Sequence, residues 1–252
     1  MDDKENRNPE MFANLNDEIK GLIFPRDIKD ENYEVASRIR HAYSLGGDLY
    51  SQLIDKNGNY WFAIGDASGH DLNSHLFSMM LMVQLSYYIN LLETPREVSN
   101  AINHYLQQKR KSAASDITSY ASLAILKADQ EGNFTHYGQH PNFILFQSEE
   151  KKAEIIVTSG RFIGLEMEEN RLNDLEGHFR MKKGDKLYLF TDGIFEQRNE
   201  EGKYFGYSLY QFISHHSEGI VENVADRLFQ ELDTFSGNKL DDDMTLMLIS
   251  RK

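Results

Sequence analysis

Apolar residues in this chain gather in short strand-like runs that come in groups, and helical patterns lie between the groups rather than after every strand. YEVASRIRHAY (33–43) precedes YWFAIGDAS (60–68), and the Lys56-Asn57-Gly58-Asn59 stretch between them carries the Asn-Gly pair that closes tight hairpins. SYASLAILKAD (119–129) and NFTHYGQHPNFILF (133–146) flank a second turn at Glu131-Gly132-Asn133. KLYLFTD (186–192) and the closing MTLMLIS (244–250) complete the set. Grouped strands of this kind predict antiparallel sheets with helices in separate layers, an α+β fold, and not a parallel sheet of alternating βαβ units.

The helical patterns are distinct. From Leu72 to Leu92 there is no charged residue, but Asn73, Ser74, His75, Ser78, Gln84, Ser86 and Asn90 interrupt the apolar run. A membrane-spanning helix needs about 20 predominantly apolar residues, so the spacing predicts a helix over 73–92 buried inside a globular domain, with no membrane span. Thr94-Pro95-Arg96-Glu97 has the form of a capping box with proline in the first helical position, opening a helix that carries Val98, Ile102 and Tyr105. Two more helices are expected near 206–215 and 217–235, the second with Val221, Val224, Leu228 and Leu232 in register. At the other end, residues 1–10 have the composition of a frayed tail. Met11, Phe12, Leu15, Ile19, Leu22 and Ile23 then form an amphipathic helical stripe that Pro25 should end. The pattern divides the chain into a tail and helix over 1–24 and one domain over 25–252. The stripe suits either docking on its own domain or pairing with a second copy or an upstream sensor.

Composition removes several function classes. The 252 residues are 40% hydrophobic, enough for a sizeable core, and carry a net charge of -13. Nucleic-acid and acidic-membrane binding need clustered Lys and Arg, which this balance argues against. With no cysteine at all, a disulfide framework, a Cys-ligated zinc and a thiol nucleophile are excluded. The N-terminal MDDKENRNPE is polar and has no apolar core of a secretory signal, so a cytoplasmic location is expected. No G-x4-G-K-[ST] phosphate-binding loop is present.

Four aspartates stand out by context. Asp48 follows two glycines in SLGGDLY, Asp66 ends an apolar run in FAIGDASGH, Asp192 ends another in LYLFTDG, and Asp242 lies within LDDDMTL. A carboxylate at the end of a strand projects charge from a rigid sheet into a loop-lined cleft. Several such groups aimed at one point repel one another and call for a cation, and hard oxygen ligands select Mg²⁺ or Mn²⁺ over zinc. Taken singly, each aspartate is equally at home as a turn or cap residue, and spacing alone does not show that the four converge. His136 and His140 form an H-x3-H pair, but Pro141 follows and the neighbours have a hairpin-like pattern, which favours a structural role. His70 in the loop after Asp66 is the better functional candidate, as a general acid.

The ordered set GGDLYS (46–51), IGDASGHDL (64–72), HYGQHPNFILF (136–146), SGRFIGL (159–165), MKKGDKLYLFTDGIFEQRNEEGKYFG (181–206) and DDMTLMLI (242–249) resembles the SpoIIE/RsbU branch of the type 2C, metal-dependent serine/threonine protein phosphatases. The resemblance runs from about residue 24 to the C-terminus, and the long block around Thr191-Asp192-Gly193 followed by Asp242-Asp243-Met244-Thr245 is its most specific part. It implies two packed antiparallel β-sheets flanked by helices, with two Mn²⁺ or Mg²⁺ ions at one end. By matched position, Asp66 would bridge both ions and the backbone carbonyl of Ala67 would bind one of them. Asp192 and Asp242 would bind the other, Asp48 would act through a metal-bound water, and the nucleophile would be the bridging water, with no phosphoenzyme. Asp243 takes the place of Asp242 if the register of the triple-aspartate run is shifted by one.

The same branch implies a phosphorylated STAS-domain anti-anti-sigma regulator as substrate, within bacterial partner switching. The sequence departs from the pattern at Asp71, where glycine is usual, at Asn73, Ser74 and His75, where small residues are usual, and at Tyr137 and Gln139 around the GHxP loop. None of these removes a metal carboxylate. A pseudophosphatase that binds a regulator without hydrolysis would be expected to have lost one of the four aspartates. A small-molecule phosphohydrolase of another class would be expected to show an N-terminal D-x-D, which is missing.

Overall fold

The computed structural model describes residues 24–42, 46–69, 71–112, 119–165 and 175–252. The expected N-terminal stripe over residues 11–23 and His70 lie outside the described residues.

Among the described residues, ten strands form two five-stranded sheets in which every pairing is antiparallel. The first contains β1 (Tyr33–Arg40), β6 (Phe143–Gln147), β7 (Lys152–Ile156), β9 (Lys186–Phe190) and β10 (Met244–Arg251), in the order β1-β10-β9-β6-β7. The second contains β2 (Asp48–Ile54), β3 (Tyr60–Ala67), β4 (Ala121–Ala128), β5 (Asn133–Tyr137) and β8 (Gly177–Arg180), in the order β2-β3-β4-β5-β8.

The strands are apolar on both faces because each sheet is covered on both sides. Tyr60, Phe62 and Ile64 of β3 meet Leu187 and Leu189 of β9 and Met247 and Ile249 of β10 in a core between the sheets. The alternate residues point outward. Trp61 and Ala63 pack under α1 (Leu72–Ile89) and α2 (Pro95–Ser112), while Tyr188, Leu246 and Leu248 pack under α4 (Gly206–His216) and α5 (Val221–Ser236). A single turn, α3 (Asp192–Phe195), follows β9. The result is the expected helix–sheet–sheet–helix sandwich.

Local chemistry accounts for the joints. Asp55 accepts hydrogen bonds from the backbone N–H groups of Asn57 and Asn59 and from the indole N–H of Trp61, fixing the β2–β3 hairpin to the core. The capping box forms as predicted: Glu97 donates its N–H to Thr94 Oγ1 at 3.2 Å, and Glu97 Oε2 accepts the Thr94 N–H at 3.0 Å. Asp71, where the family pattern has glycine, is the N-cap of α1, its carboxylate accepting the N–H groups of Asn73 and Ser74. The charge-free stretch is this helix. Leu81, Leu85 and Ile89 are buried, and Leu76, Val83 and Tyr87 stand on its exposed face. Among the described residues no helix is long and apolar enough to cross a membrane.

Three details differ from expectation. The stretch around His136–His140 is not a hairpin: β5 pairs with β4 and β8, whereas β6 joins the other sheet between β7 and β9. The chain crosses between sheets at Gly138, with φ at 127°. Asp192 does not end a strand but opens α3, one residue beyond Thr191. Strands β2, β7 and β8 are additional: β2, not the 33–43 run, forms the hairpin with β3, while β1 pairs with β10, and β7 and β8 are short edge strands with Lys152, Glu154 and His178 exposed and no apolar alternation.

Candidate active site

The period of two that places Tyr60, Phe62 and Ile64 between the sheets places Asp66 there as well, at the end where the apolar core stops. Asp48 is its direct antiparallel partner on β2 and therefore shares that face. On the opposing sheet the same alternation carries Leu187 and Leu189 on to Thr191, and Met247 back to Thr245 and Asp243. Residues distant in sequence thus meet at one end of the sandwich because each lies a whole number of strand periods from the core.

Asp48 is the most enclosed of the carboxylates at this end. Its Oδ2 accepts the hydroxyls of Thr191 at 2.8 Å and Thr245 at 2.6 Å, joining the two sheets. Burial and the charge of Asp66 drive its carboxyl well above the usual range, against these two donors. For Asp66, burial and then the charges of Asp192, Asp242 and Asp243 push the pKa up to about 7. Asp192 is raised too, by burial and then by Asp242 and Glu196. This mutual destabilisation is the observation that tests the fit of a divalent cation. Buried carboxylates that suppress one another's ionisation make an all-oxygen donor set that a hard cation would neutralise. Among the described residues, no three His, Asp or Glu side chains are drawn in to ligand spacing. The carboxylates are near enough to couple but remain splayed.

The members of the triple-aspartate run behave differently. Asp243 is buried and accepts the N–H of Ala42 and the N–H of Gly47, each at 2.9 Å, with His41 Nδ1 at 3.7 Å. Burial alone would raise its pKa, but His41 and these N–H donors outweigh that and hold it low. Its work is to tie the Gly47 loop to β10. Asp242 is exposed and lines, with Asp192, a cavity of about 540 Å³ that also holds Arg198 and Lys239. Ala67 closes β3, and its carbonyl lies so near Gly47 that a Cβ there would come within 2.5 Å of it.

The histidine pair is buried in the core. His136 packs against Phe143 with ring centroids 5.6 Å apart, and burial lowers its pKa to about 4. His140 is buried beside Ser122, its Nδ1 3.0 Å from the hydroxyl, and burial lowers it to about 3. Sequence reasoning missed Thr191, Thr245 and His41. The two threonines had a signal, since Thr191 directly precedes Asp192 and Thr245 follows Asp243 by two residues, both in phase with the core-facing positions of β9 and β10. His41 had none.

A pH effect follows from the raised carboxyls. Asp66 is protonated in the folded protein up to about pH 7, whereas an unfolded aspartate ionises near 3.8. Between those values the folded state binds more protons, so metal-free stability should fall as pH rises from about 4 through 7. Saturating Mg²⁺ or Mn²⁺ should recover it: ligand at about 100 times its Kd contributes roughly 2.7 kcal/mol, some 5–10 °C in Tm for a domain of this size. Calorimetry at pH 5 and pH 8, with and without metal, checks this. A metal-free Tm that rises over that interval would contradict the electrostatics.

A two-sheet sandwich with helices on both outer faces and carboxylates at one end of the inter-sheet core is the architecture of the type 2C phosphatases. The SiaA-PP2C domain of Pseudomonas aeruginosa matches it with a TM-score of 0.72 at 16% identity, covering 96% of this chain and 93% of that one. The catalytic domain of the serine/threonine phosphatase PstP, solved with two manganese ions, matches with a TM-score of 0.62 at 11% identity, covering 87% and 98%. In sequence, the chain is 23% identical over 246 residues to the phosphoserine phosphatase RsbU of Bacillus subtilis (strain 168), covering 96% of this chain and 70% of that protein. The family model for stage II sporulation protein E (SpoIIE) matches residues 56–252. The chain belongs to the SpoIIE family, and with it to the SpoIIE/RsbU branch of the type 2C serine/threonine phosphatases.

Proposed function

We propose that this chain hydrolyses phosphoserine or phosphothreonine on a protein, using two Mn²⁺ or Mg²⁺ ions held at the inter-sheet end. The observation that supports this most strongly is the gathering of carboxylates at this end, where burial and then Asp192, Asp242 and Asp243 raise Asp66, and burial and then Asp242 and Glu196 raise Asp192. Asp66, the Ala67 carbonyl, Asp192 and Asp242 are the proposed ligands, with Asp48 acting through water. Asp242 is preferred to Asp243 because the latter is already committed to two N–H donors. Bound there, the ions would lower the pKa of a water and offset phosphoryl charge during in-line displacement. The chain's own residues supply the frame. Thr191 and Thr245 fix the Asp48 carboxylate, and Gly47 lets its loop approach Asp66 and Ala67.

The proposed substrate is a phosphorylated STAS-domain regulator of the kind the branch resemblance implies, and the similarity to a phosphoserine phosphatase supports the phosphoserine assignment. Activity should require added Mn²⁺ or Mg²⁺, vanish on chelation and return on readdition. It should be indifferent to thiol-blocking reagents, because the chain has no cysteine. Full turnover after exhaustive chelation would overturn the mechanism.

The N-terminal stripe is proposed to pair with a second copy or an upstream sensor and so to control turnover, as a docked element with two resting places would. The exposed Leu76, Val83 and Tyr87 of α1 offer an apolar face on the catalytic body. Replacing Leu15 and Ile19 by Ser should lower both solution mass and turnover. Wild-type values of both would remove the regulatory role.

A further inference from the structure

Asp192 forms part of the wall of two cavities. The first, shared with Asp242, is polar and contains Glu196, Glu200 and Asp241. The second is a groove of about 790 Å³ between the β6–β7 edge and α4, lined by Ile144, Ile155, Phe162, Phe195, Tyr207 and Tyr210. Among the described residues, Asp192 is the only charged side chain in its wall. Ile155 is 54% exposed and Tyr207 is 75% exposed, both large apolar surfaces left open to water. Tyr210 is pinned, its hydroxyl donating to the Ala153 carbonyl at 3.1 Å, and Gln211 donates to the Tyr207 hydroxyl at 3.2 Å. Aromatic groups held in this way lose little freedom on binding and commonly anchor protein interfaces.

We propose that this groove is the docking site for the substrate protein, taking apolar side chains that flank its phosphorylated residue. The inference rests on the phosphatase reading of the site and specifies how that site selects its substrate. A phosphate group placed at Asp192 lies beside both cavities. The polar cavity presents Glu196, Glu200, Asp241 and Asp242 beside Arg198 and Lys239, and so offers apolar flanking side chains little to pack against. The groove offers apolar surface with, among the described residues, no charge but Asp192, and there each well-seated aliphatic side chain raises affinity about tenfold or more.

The test uses two fluorescein-labelled decapeptides bearing the phosphonate analogue of phosphoserine, with Mg²⁺ present. One has leucines two and three positions to either side of that residue, and the other has serines there. Anisotropy should give a Kd about tenfold lower for the leucine peptide. In a Tyr207→Ser/Ile155→Ser double variant that difference should disappear, with turnover of p-nitrophenyl phosphate unchanged. Both replaced side chains are exposed, and an unchanged circular-dichroism melt confirms the fold. Equal affinities in the wild type, or a preference that survives the double substitution, would overturn the inference. Self-association lost in the variant, with peptide affinities unaltered, would assign the groove to a second copy of the chain and overturn it as well. Absence of turnover on every phosphoester, with the peptide preference intact, would overturn the phosphatase reading and leave the docking groove standing.

Discussion

Asp192→Asn should make the protein more stable without metal and at least 10²-fold less active with it. The substitution keeps the shape of the side chain and removes its charge. Activity falls because a proposed ligand of the ions loses its anionic oxygen, on the scale of deleting a main electrostatic stabiliser. Stability moves the other way. After burial, Asp192 is the largest contributor to the elevation of Asp66, so neutralising it relieves a repulsion that exists only in the folded state. At pH 8 without added ions the variant should melt above the wild type, and added Mn²⁺ should raise its Tm by less. A structural turn residue would show the reverse: lower stability and near-normal, metal-dependent turnover. Melting curves and phosphate release on the same sample separate the two.

Gly193→Ala should damage the site from behind. A Cβ on Gly193 would lie 1.9 Å from the carbonyl oxygen of Asp243 and 2.9 Å from its carbonyl carbon, both backbone atoms. No rotamer relieves that contact, so either α3 or the loop before β10 must shift. Overpacking of this kind costs about 1–3 kcal/mol or more. The displaced segments carry Asp192 and Asp242, and misplacement by about 1 Å can cost roughly 10²-fold in rate. The control is Gly206→Ala, whose added methyl meets nothing nearer than 3.5 Å at the start of α4. It should leave stability unchanged or slightly raised. A Gly193→Ala protein with wild-type Tm and turnover would show that the close approach has no functional weight.

Legibility in the sequence followed periodicity and chain-local chemistry. The Asn-Gly hairpin, the Thr94–Glu97 capping box and the uncharged α1 were all readable because a few adjacent residues determine each of them. The strands β2, β7 and β8 were not: β7 and β8 are short charged edge strands without apolar alternation, and β2 carries polar Asp48, Ser51 and Gln52 at buried positions. The crossing at Gly138 was misread for a related reason. Turn residues announce a change of direction, but not which sheet the next strand will join. The aspartates could be listed from context, yet their meeting at one end of the sandwich depends on sheet order and register. Thr191 and Thr245 could have been linked to Asp48 only after β9 and β10 were known to be neighbours facing β2 and β3 across the core. Asp242 and Asp243 illustrate the limit most sharply. They are identical side chains one position apart, and opposite facing on the approach to β10 makes one a clamp for the Gly47 loop and leaves the other open to the cavity.

The most direct test of the central claim is phosphate release from a phosphoserine-bearing STAS-domain protein by the purified chain, titrated with Mn²⁺ and then with chelator. Release that appears with Mn²⁺, disappears on chelation and is at least 10²-fold weaker in Asp192→Asn is the predicted result. Release that is indifferent to chelator, or equal in the wild type and the Asp192→Asn variant, would contradict it.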